Sequence, residues 1–192
     1  MKGDTLIVFA RAPRLGAVKR RLARGIGAMA ALRFYRGQLA GTLATVARDR
    51  RWRTLLAITP RGARARWPRP VPRIAQQGRD LGQRMHRAAR GRRRVVIIGS
   101  DIPGIARRDI AAAFRALGRA HAVFGPAKDG GYWLVGLGPL RPAHPFADVR
   151  WSSRHALADT LANFRGRRIA LLRTLRDVDT ARDLRAIRKG RA

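Results

Sequence analysis

Leu6-Ile7-Val8-Phe9-Ala10 runs into Arg11-Ala12-Pro13-Arg14-Leu15-Gly16-Ala17-Val18-Lys19-Arg20-Arg21-Leu22, and this passage decides the fold. Five apolar residues, β-branched in the middle, read as a buried strand that Arg11-Ala12-Pro13 stops. A loop with Pro13 and Gly16 follows. Apolar residues then recur at helical spacing from Val18 to about Arg48, with a break expected near Gly25 and Gly27. The opening unit is therefore strand, glycine-bearing loop, helix.

The same alternation continues along the chain. Strands are expected at Thr54 to Thr59, Arg73 to Gln76, Val95 to Ile98, Ala122 to Phe124, Tyr132 to Leu137 and Ile169 to Leu172. Helices are expected at Leu81 to Ala89, Ile110 to Leu117, Ser153 to Phe164 and Thr180 to Ile187, and residues 60–72, rich in Pro, Arg and Gly, read as a surface loop. Strands alternating with helices predict a three-layer α/β/α sandwich around a mainly parallel sheet. The chain has 192 residues, no internal repeat and no linker, so one domain over residues 1–192 is expected.

Composition limits the function classes. The Leu6 to Ala10 run is too short for a membrane span, and Arg11 and Pro13 follow too soon for a signal-peptide core. A cytoplasmic protein without membrane attachment is the expectation. No cysteine is present, which removes disulfides, thiolate metal sites and cysteine nucleophiles. Lys and Arg number 43 against 11 acids, a formal charge of +32, and every acid is Asp. Such a surface attracts polyanions. Most of the bases are spread along the chain, however, and only Arg48 to Arg53 and Arg92-Arg93-Arg94 form dense clusters. No zinc-finger spacing, RNP strand or GXXG loop accompanies them, so no specific nucleic-acid partner is expected.

In open α/β sheets ligands bind at the carboxyl ends of the strands, and four unusual segments fall there. The loop from Arg11 to Leu22 offers backbone N–H groups at a helix start plus the charge of Lys19, which suits a diphosphate; the alternative is an ordinary strand-to-helix turn. Gly99-Ser100-Asp101-Ile102-Pro103 places Asp101 directly after an apolar strand, where a carboxylate can hold Mg²⁺ or Mn²⁺ against phosphate oxygens, or can cap a turn. Gly125 to Trp133 joins Asp129, Gly130, Gly131 and Tyr132, which suits a ligand loop with a ring to stack on a sugar and equally a hairpin with core aromatics. Asp80, before Leu81-Gly82-Gln83-Arg84, reads as a helix N-cap first. Asp179-Thr180-Ala181-Arg182-Asp183 also reads as a capping sequence. His86, His121, His144 and His155 show no metal-ligand spacing, and no GxSxG elbow occurs.

In this order, FARAPRLGAVKRRLA (Phe9 to Ala23), QGRDLGQRM (Gln77 to Met85), GSDIPGI (Gly99 to Ile105), GPAKDGGYWLVGL (Gly125 to Leu137), WSS (Trp151 to Ser153) and DVDTARDL (Asp177 to Leu184) resemble a family of bacterial glycosyltransferase-A-type proteins. That family was long labelled a conserved family of unknown function, and some members are tied to arsenosugar biosynthesis. Its fold is similar to that of molybdenum-cofactor and lactyl-phosphate nucleotidyltransferases. The resemblance implies a Rossmann-like nucleotide-diphospho-sugar transferase (GT-A) fold and a metal-dependent glycosyltransferase. Its substrates are a nucleotide-sugar and a small-molecule acceptor. The alternatives are a nucleotidyltransferase acting on a small phosphorylated substrate, and a polyanion-binding protein on an inactive scaffold. By resemblance and position, Arg11, Gly16 and Lys19 would cradle the diphosphate, with Asp80 and Arg84 near the donor. Asp101 would hold Mg²⁺ or Mn²⁺. Asp129 would act on the acceptor side, in a pocket shaped by Gly130, Gly131 and Tyr132. The chain departs from the family in carrying Arg20 where Lys-Thr-Arg-Leu has Thr, and Ser100-Asp101 where many enzymes of this fold have Asp-x-Asp.

Overall fold

A computed structural model describes residues 3–68 and 70–189. The elements run β1 (Thr5–Arg11), α1 (Arg20–Ile26), α2 (Ala28–Val46), β2 (Arg53–Thr59), β3 (Arg73–Ala75), α3 (Leu81–Ala89), β4 (Val95–Gly99), α4 (Arg107–Ala116), β5 (Ala122–Pro126), β6 (Tyr132–Leu137), α5 (Ala156–Ala162), β7 (Ile169–Leu171) and α6 (Ala181–Lys189). They form one seven-stranded sheet in the order β3-β2-β1-β4-β6-β5-β7. β1 pairs in parallel with both β2 and β4, which leaves it no open edge and explains its unbroken apolar run.

Helices cover both sheet faces. Leu6 and Val8 of β1 pack with Leu32 and Leu39 of α2 and with Ile110 and Phe114 of α4. Ile7, on the opposite face, packs with Met85 of α3 and with Phe164 just beyond α5. The strict alternation of side chains along the strand separates these two layers.

The helical stretch expected from Val18 to about Arg48, with its break near Gly25 and Gly27, is two helices. The break falls at Gly27, whose φ of 83° and ψ of 152° suit only glycine, while Gly25 stays inside α1. α4 starts earlier than Ile110 because Asp109 accepts a hydrogen bond from the Ala106 N–H and caps the helix from inside its first turn. α5 is shorter than expected, and residues 153–155 form the turn that leads into it.

One feature of the sheet positions the site. β6 returns antiparallel from β5 and inserts between β4 and β5. Two reversals leave β5 pointing the same way as β4, and β7 is parallel to β5. The carboxyl ends of β1, β4, β5 and β7 therefore meet on one edge, although the strands lie far apart in sequence.

Candidate active site

The turn after β1 is built by Gly16, at φ 71°, with the Ala17 N–H donating to the Arg14 carbonyl. Gly16 thus shapes the loop but does not line the cavity that the loop encloses. The next residues do. Lys19 sits at the N-cap of α1 with φ 47°, an uncommon backbone state for a lysine. That backbone turns its side chain inward, where the ammonium lies 2.9 Å from Asp101 Oδ2 and 2.9 Å from Asp179 Oδ1. Only 4% of the Lys19 side chain is exposed. Burial alone would make the ammonium easier to deprotonate, but Asp101 and Asp179 overcome this and hold its pKa above the ordinary lysine value.

Asp101 follows β4, as its sequence position implies. Asp179 arrives by a different route. Beyond β7 the chain continues alongside β5, with Lys128 N–H donating to the Leu175 carbonyl and Leu175 N–H to the Pro126 carbonyl. Val178 is fully buried against Leu22 and Ala31. Its neighbours Asp177 and Asp179 both line the site. A capping sequence does follow, but Asp183 performs the capping: its Oδ2 accepts from the Thr180 and Asp179 N–H groups. The signal available in the sequence was the spacing of Asp177-Val178-Asp179 itself, an acid pair flanking an apolar residue directly after a strand.

These groups stand between two connected hollows. The first, of about 710 Å³, lies over the ends of β1, β2 and β4 and is lined by Arg11, Lys19, Arg20, Arg84 and Gln76 among others. The second, of about 730 Å³, lies over the ends of β5 and β6 and is lined by Asp129, Gly131, Tyr132, Trp151, Arg154 and Asp177 among others. Asp101, Asp179, Arg21, Leu81 and Ser152 border both. Four of the 11 acids in a chain of net charge +32 are thus gathered around one site.

Asp129 Oδ1 accepts from the Gly131 N–H, which closes the β5–β6 turn, and among the described residues Oδ2 accepts no such bond. Gly130 has φ 87°, and its Cα faces the Arg154 carbonyl so closely that a Cβ would lie 2.1 Å from that oxygen. The segment is a hairpin turn, and its Asp129, Gly131 and Tyr132 line the second hollow. Tyr132 is partly buried and its hydroxyl meets Thr160, with burial pushing the phenol pKa up. Trp133 is a core residue whose indole N–H donates to the Arg173 carbonyl. Asp177 is raised to about 7, first by burial and then by repulsion from Asp129 and Asp101. Its Oδ1 is buried and, among the described residues, has no hydrogen-bond partner.

Three expected residues lie elsewhere or also brace the backbone. Asp80 caps α3 through the Gln83 N–H at 2.8 Å and borders a separate hollow with His86 and His144, outside both lobes. Its carboxylate serves the helix start, while its neighbour Leu81 borders both lobes. Arg84 lines the first lobe while its Nε holds the Gly78 carbonyl. Arg11 donates to the Ala17 carbonyl from Nη1, bracing the loop against its own strand. Tyr35, which the sequence did not single out, ties this region together: its hydroxyl exchanges hydrogen bonds with the Arg11 backbone and lies 3.3 Å from Ser100 Oγ.

An ammonium bridging Asp101 and Asp179 marks a place where opposed carboxylates already hold a cation. Asp177 supplies a nearby carboxylate with an unsatisfied oxygen. This donor set fits an oxygen-loving divalent ion, although among the described residues no three such side chains are drawn together at metal-ligand spacing.

A mainly parallel sheet with ligand-sized hollows at its carboxyl edge and a glycine-bearing loop after β1 is of Rossmann-like kind, and likeness to a solved structure assigns it to the nucleotide-diphospho-sugar transferase fold. The structure is similar to that of a proposed nucleotide-diphospho-sugar transferase from Desulfovibrio desulfuricans G20. The two are 30% identical, with a TM-score of 0.90, over 97% of this chain and 87% of that one. Likeness of fold extends to 4-diphosphocytidyl-2C-methyl-D-erythritol synthase from Anaerococcus prevotii DSM 20548 (10% identity, 98% and 95% of the two chains, TM-score 0.61). It also extends to 2-C-methyl-D-erythritol 4-phosphate cytidylyltransferase from Thermus thermophilus (16% identity, all of both chains, TM-score 0.55). Residues 42–153 match DUF2064, described as an uncharacterized protein conserved in bacteria, and the chain belongs to that family. No curated protein matches the sequence. Among the described residues no helix is long and apolar enough to cross a membrane.

Proposed function

We propose that this protein is a glycosyltransferase that moves a sugar from a nucleoside diphosphate to a small hydroxylated acceptor, with Mg²⁺ or Mn²⁺ held by Asp101 and Asp179. The observation that carries this reading is the two-lobed site divided by that carboxylate pair and Lys19. The first lobe takes the nucleotide. Lys19, Arg20 and Arg21 then face the diphosphate at the start of α1, and Arg11 holds the loop that carries them. The second lobe takes the acceptor, with Tyr132 and Trp151 offering aromatic surface to a sugar ring.

In the transfer, the acceptor oxygen bonds to the anomeric carbon as the bond from that carbon to the terminal phosphate oxygen breaks. The electron pair leaves with the nucleoside diphosphate. The hydroxyl proton passes to Asp129, whose Oδ2 is free of the turn hydrogen bond. Asp101 and Asp179, with Asp177 adjacent, would hold the divalent ion, which when bound would supply neutralisation of charge on the departing diphosphate. Lys19, whose ammonium lies between those carboxylates, would add a positive charge on the phosphate side.

Calorimetric titration with nucleoside diphosphates and triphosphates, with and without Mn²⁺, tests this on wild type and Asp101→Asn. Metal-dependent, base-selective diphosphate binding that the variant loses is the expected outcome. Preference for a triphosphate, with pyrophosphate as product, would replace the reading with a nucleotidyltransferase. Weak binding that ignores base and metal would remove both.

A further inference from the structure

At the opposite edge of the sheet, the fold assembles a second charged site. The two dense arginine runs of the sequence, 48–53 and 92–94, precede β2 and β4, and both strands pair with β1. Register fixes them there: Arg53 N–H donates to the Asp4 carbonyl and Thr5 N–H to the Arg94 carbonyl. The runs thus flank the start of one strand, with about 10 Å between the two flanking backbones. A hollow of about 450 Å³ opens between them, bordered by Arg50, Arg53, Arg92 and Arg93. β1 spans seven residues, which puts this hollow roughly 20 Å from the nucleotide lobe.

The local acids do not neutralise it. Asp49 is consumed by Arg51 at 2.6 Å and Asp4 by Arg94 at 3.2 Å. Among the described residues, the side chains of Arg50, Arg53 and Arg93 make neither an ion pair nor a hydrogen bond, and all three are exposed. Like charges on two flanks of a strand repel, and they relax when anions are interposed. Arg50 and Arg53 border the hollow from one flank and Arg92 and Arg93 from the other, so an extended polyanion is offered guanidinium groups from both sides.

We infer that this hollow binds the phosphate backbone of a nucleic acid, without reading its sequence. No large exposed apolar side chain borders it to insert into a lipid layer. Trp52, the aromatic residue there, is buried and its indole N–H is committed to the Val46 carbonyl, so no ring is offered for base stacking. Backbone contact alone remains, which predicts sequence-blind, strongly salt-dependent binding. None of the residues assigned to glycosyl transfer takes part, so this binding stands or falls independently of that activity.

The experiment compares two triple variants with equal loss of charge: Arg50→Gln/Arg53→Gln/Arg93→Gln, and the scattered exposed control Arg33→Gln/Arg108→Gln/Arg165→Gln. Fluorescence anisotropy with labelled mixed-sequence 20-nucleotide single strands is measured across a salt series. Three lost phosphate contacts lower the slope of log K against log salt by about 2 for a single strand. The clustered variant should show that drop and bind at least tenfold more weakly near 0.15 M salt, while the control stays within about threefold of wild type. Both variants keep the wild-type thermal midpoint. Equal weakening in the two variants would overturn the inference, because net charge alone would then explain binding. Competition by millimolar inorganic phosphate, or a cluster-dependent preference for anionic phosphatidylserine vesicles over the oligonucleotide, would overturn it as well.

Discussion

Lys19→Met separates two roles that one ammonium plays. The substitution keeps the length of the stem and removes the charge that bridges Asp101 and Asp179. In the nucleotide-free protein a divalent ion must displace that ammonium before it can use both carboxylates. The two contacts are short, 2.9 Å each, but the carboxylates are 41% and 40% exposed, so solvent screens them. Each pair is then worth about 1 kcal/mol, the upper end for solvent-exposed pairs. Together they oppose metal entry by about 2 kcal/mol, or roughly 30-fold in affinity. Calorimetric titration of nucleotide-free Lys19→Met with Mn²⁺ should therefore show tighter binding than wild type, by ten- to thirtyfold. Nucleoside diphosphate binding in saturating Mn²⁺ should weaken by about tenfold, because a phosphate partner has gone. Opposite signs for the two ligands are the signature, and loss of folding cannot produce them. Unchanged or weaker Mn²⁺ binding in the variant would refute the assignment of the carboxylate pair as the cation site.

Two further outcomes concern the second lobe. Gly130→Ala should destabilise by about 2–4 kcal/mol, since its Cβ would stand 2.1 Å from a backbone oxygen at a φ of 87°; a drop of about 5–15 °C in thermal midpoint checks this. Gly131→Ala, whose Cβ meets only Asp129 Oδ1 at 3.2 Å, should cost far less and serves as the control. Asp177→Asn should change stability with pH. The folded carboxyl is raised to about 7 from 3.8, so the folded state resists ionisation that the unfolded chain accepts. Wild-type stability from this group is intact below pH 3.8 and is lost progressively between there and about 7. Denaturant melts should find the variant more stable than wild type at about pH 8, with the gain vanishing near pH 4. A gain that is equal at both values would show that Asp177 is not held protonated by its neighbours.

Much of the fold was legible from local chemistry. An apolar β-branched run stopped by Arg11-Ala12-Pro13, glycines at the turns and alternation of strand with helix specify a covered, mainly parallel sheet, because each signal acts within a few residues. The same holds for Lys19 and Asp101, whose places after β1 and β4 follow from where those strands end. What lay beyond the sequence depended on pairing between distant segments. Nothing local says that β6 inserts between β4 and β5, yet that insertion brings the ends of β5 and β7 to the edge where β1 and β4 end. Asp177 and Asp179 consequently join Asp101 across a gap of more than seventy residues in sequence, while a capping role suggested by their own neighbourhood belongs to Asp183. Asp80 shows the reverse case: its N-cap role is local and was readable, and tertiary placement takes it out of the nucleotide lobe. Neighbouring residues thus determine each strand and turn only as far as that element's own ends, and the order of the strands lies beyond them. The convergence of charges is decided by sheet register, because like-charged carboxylates assemble only where the backbone holds them.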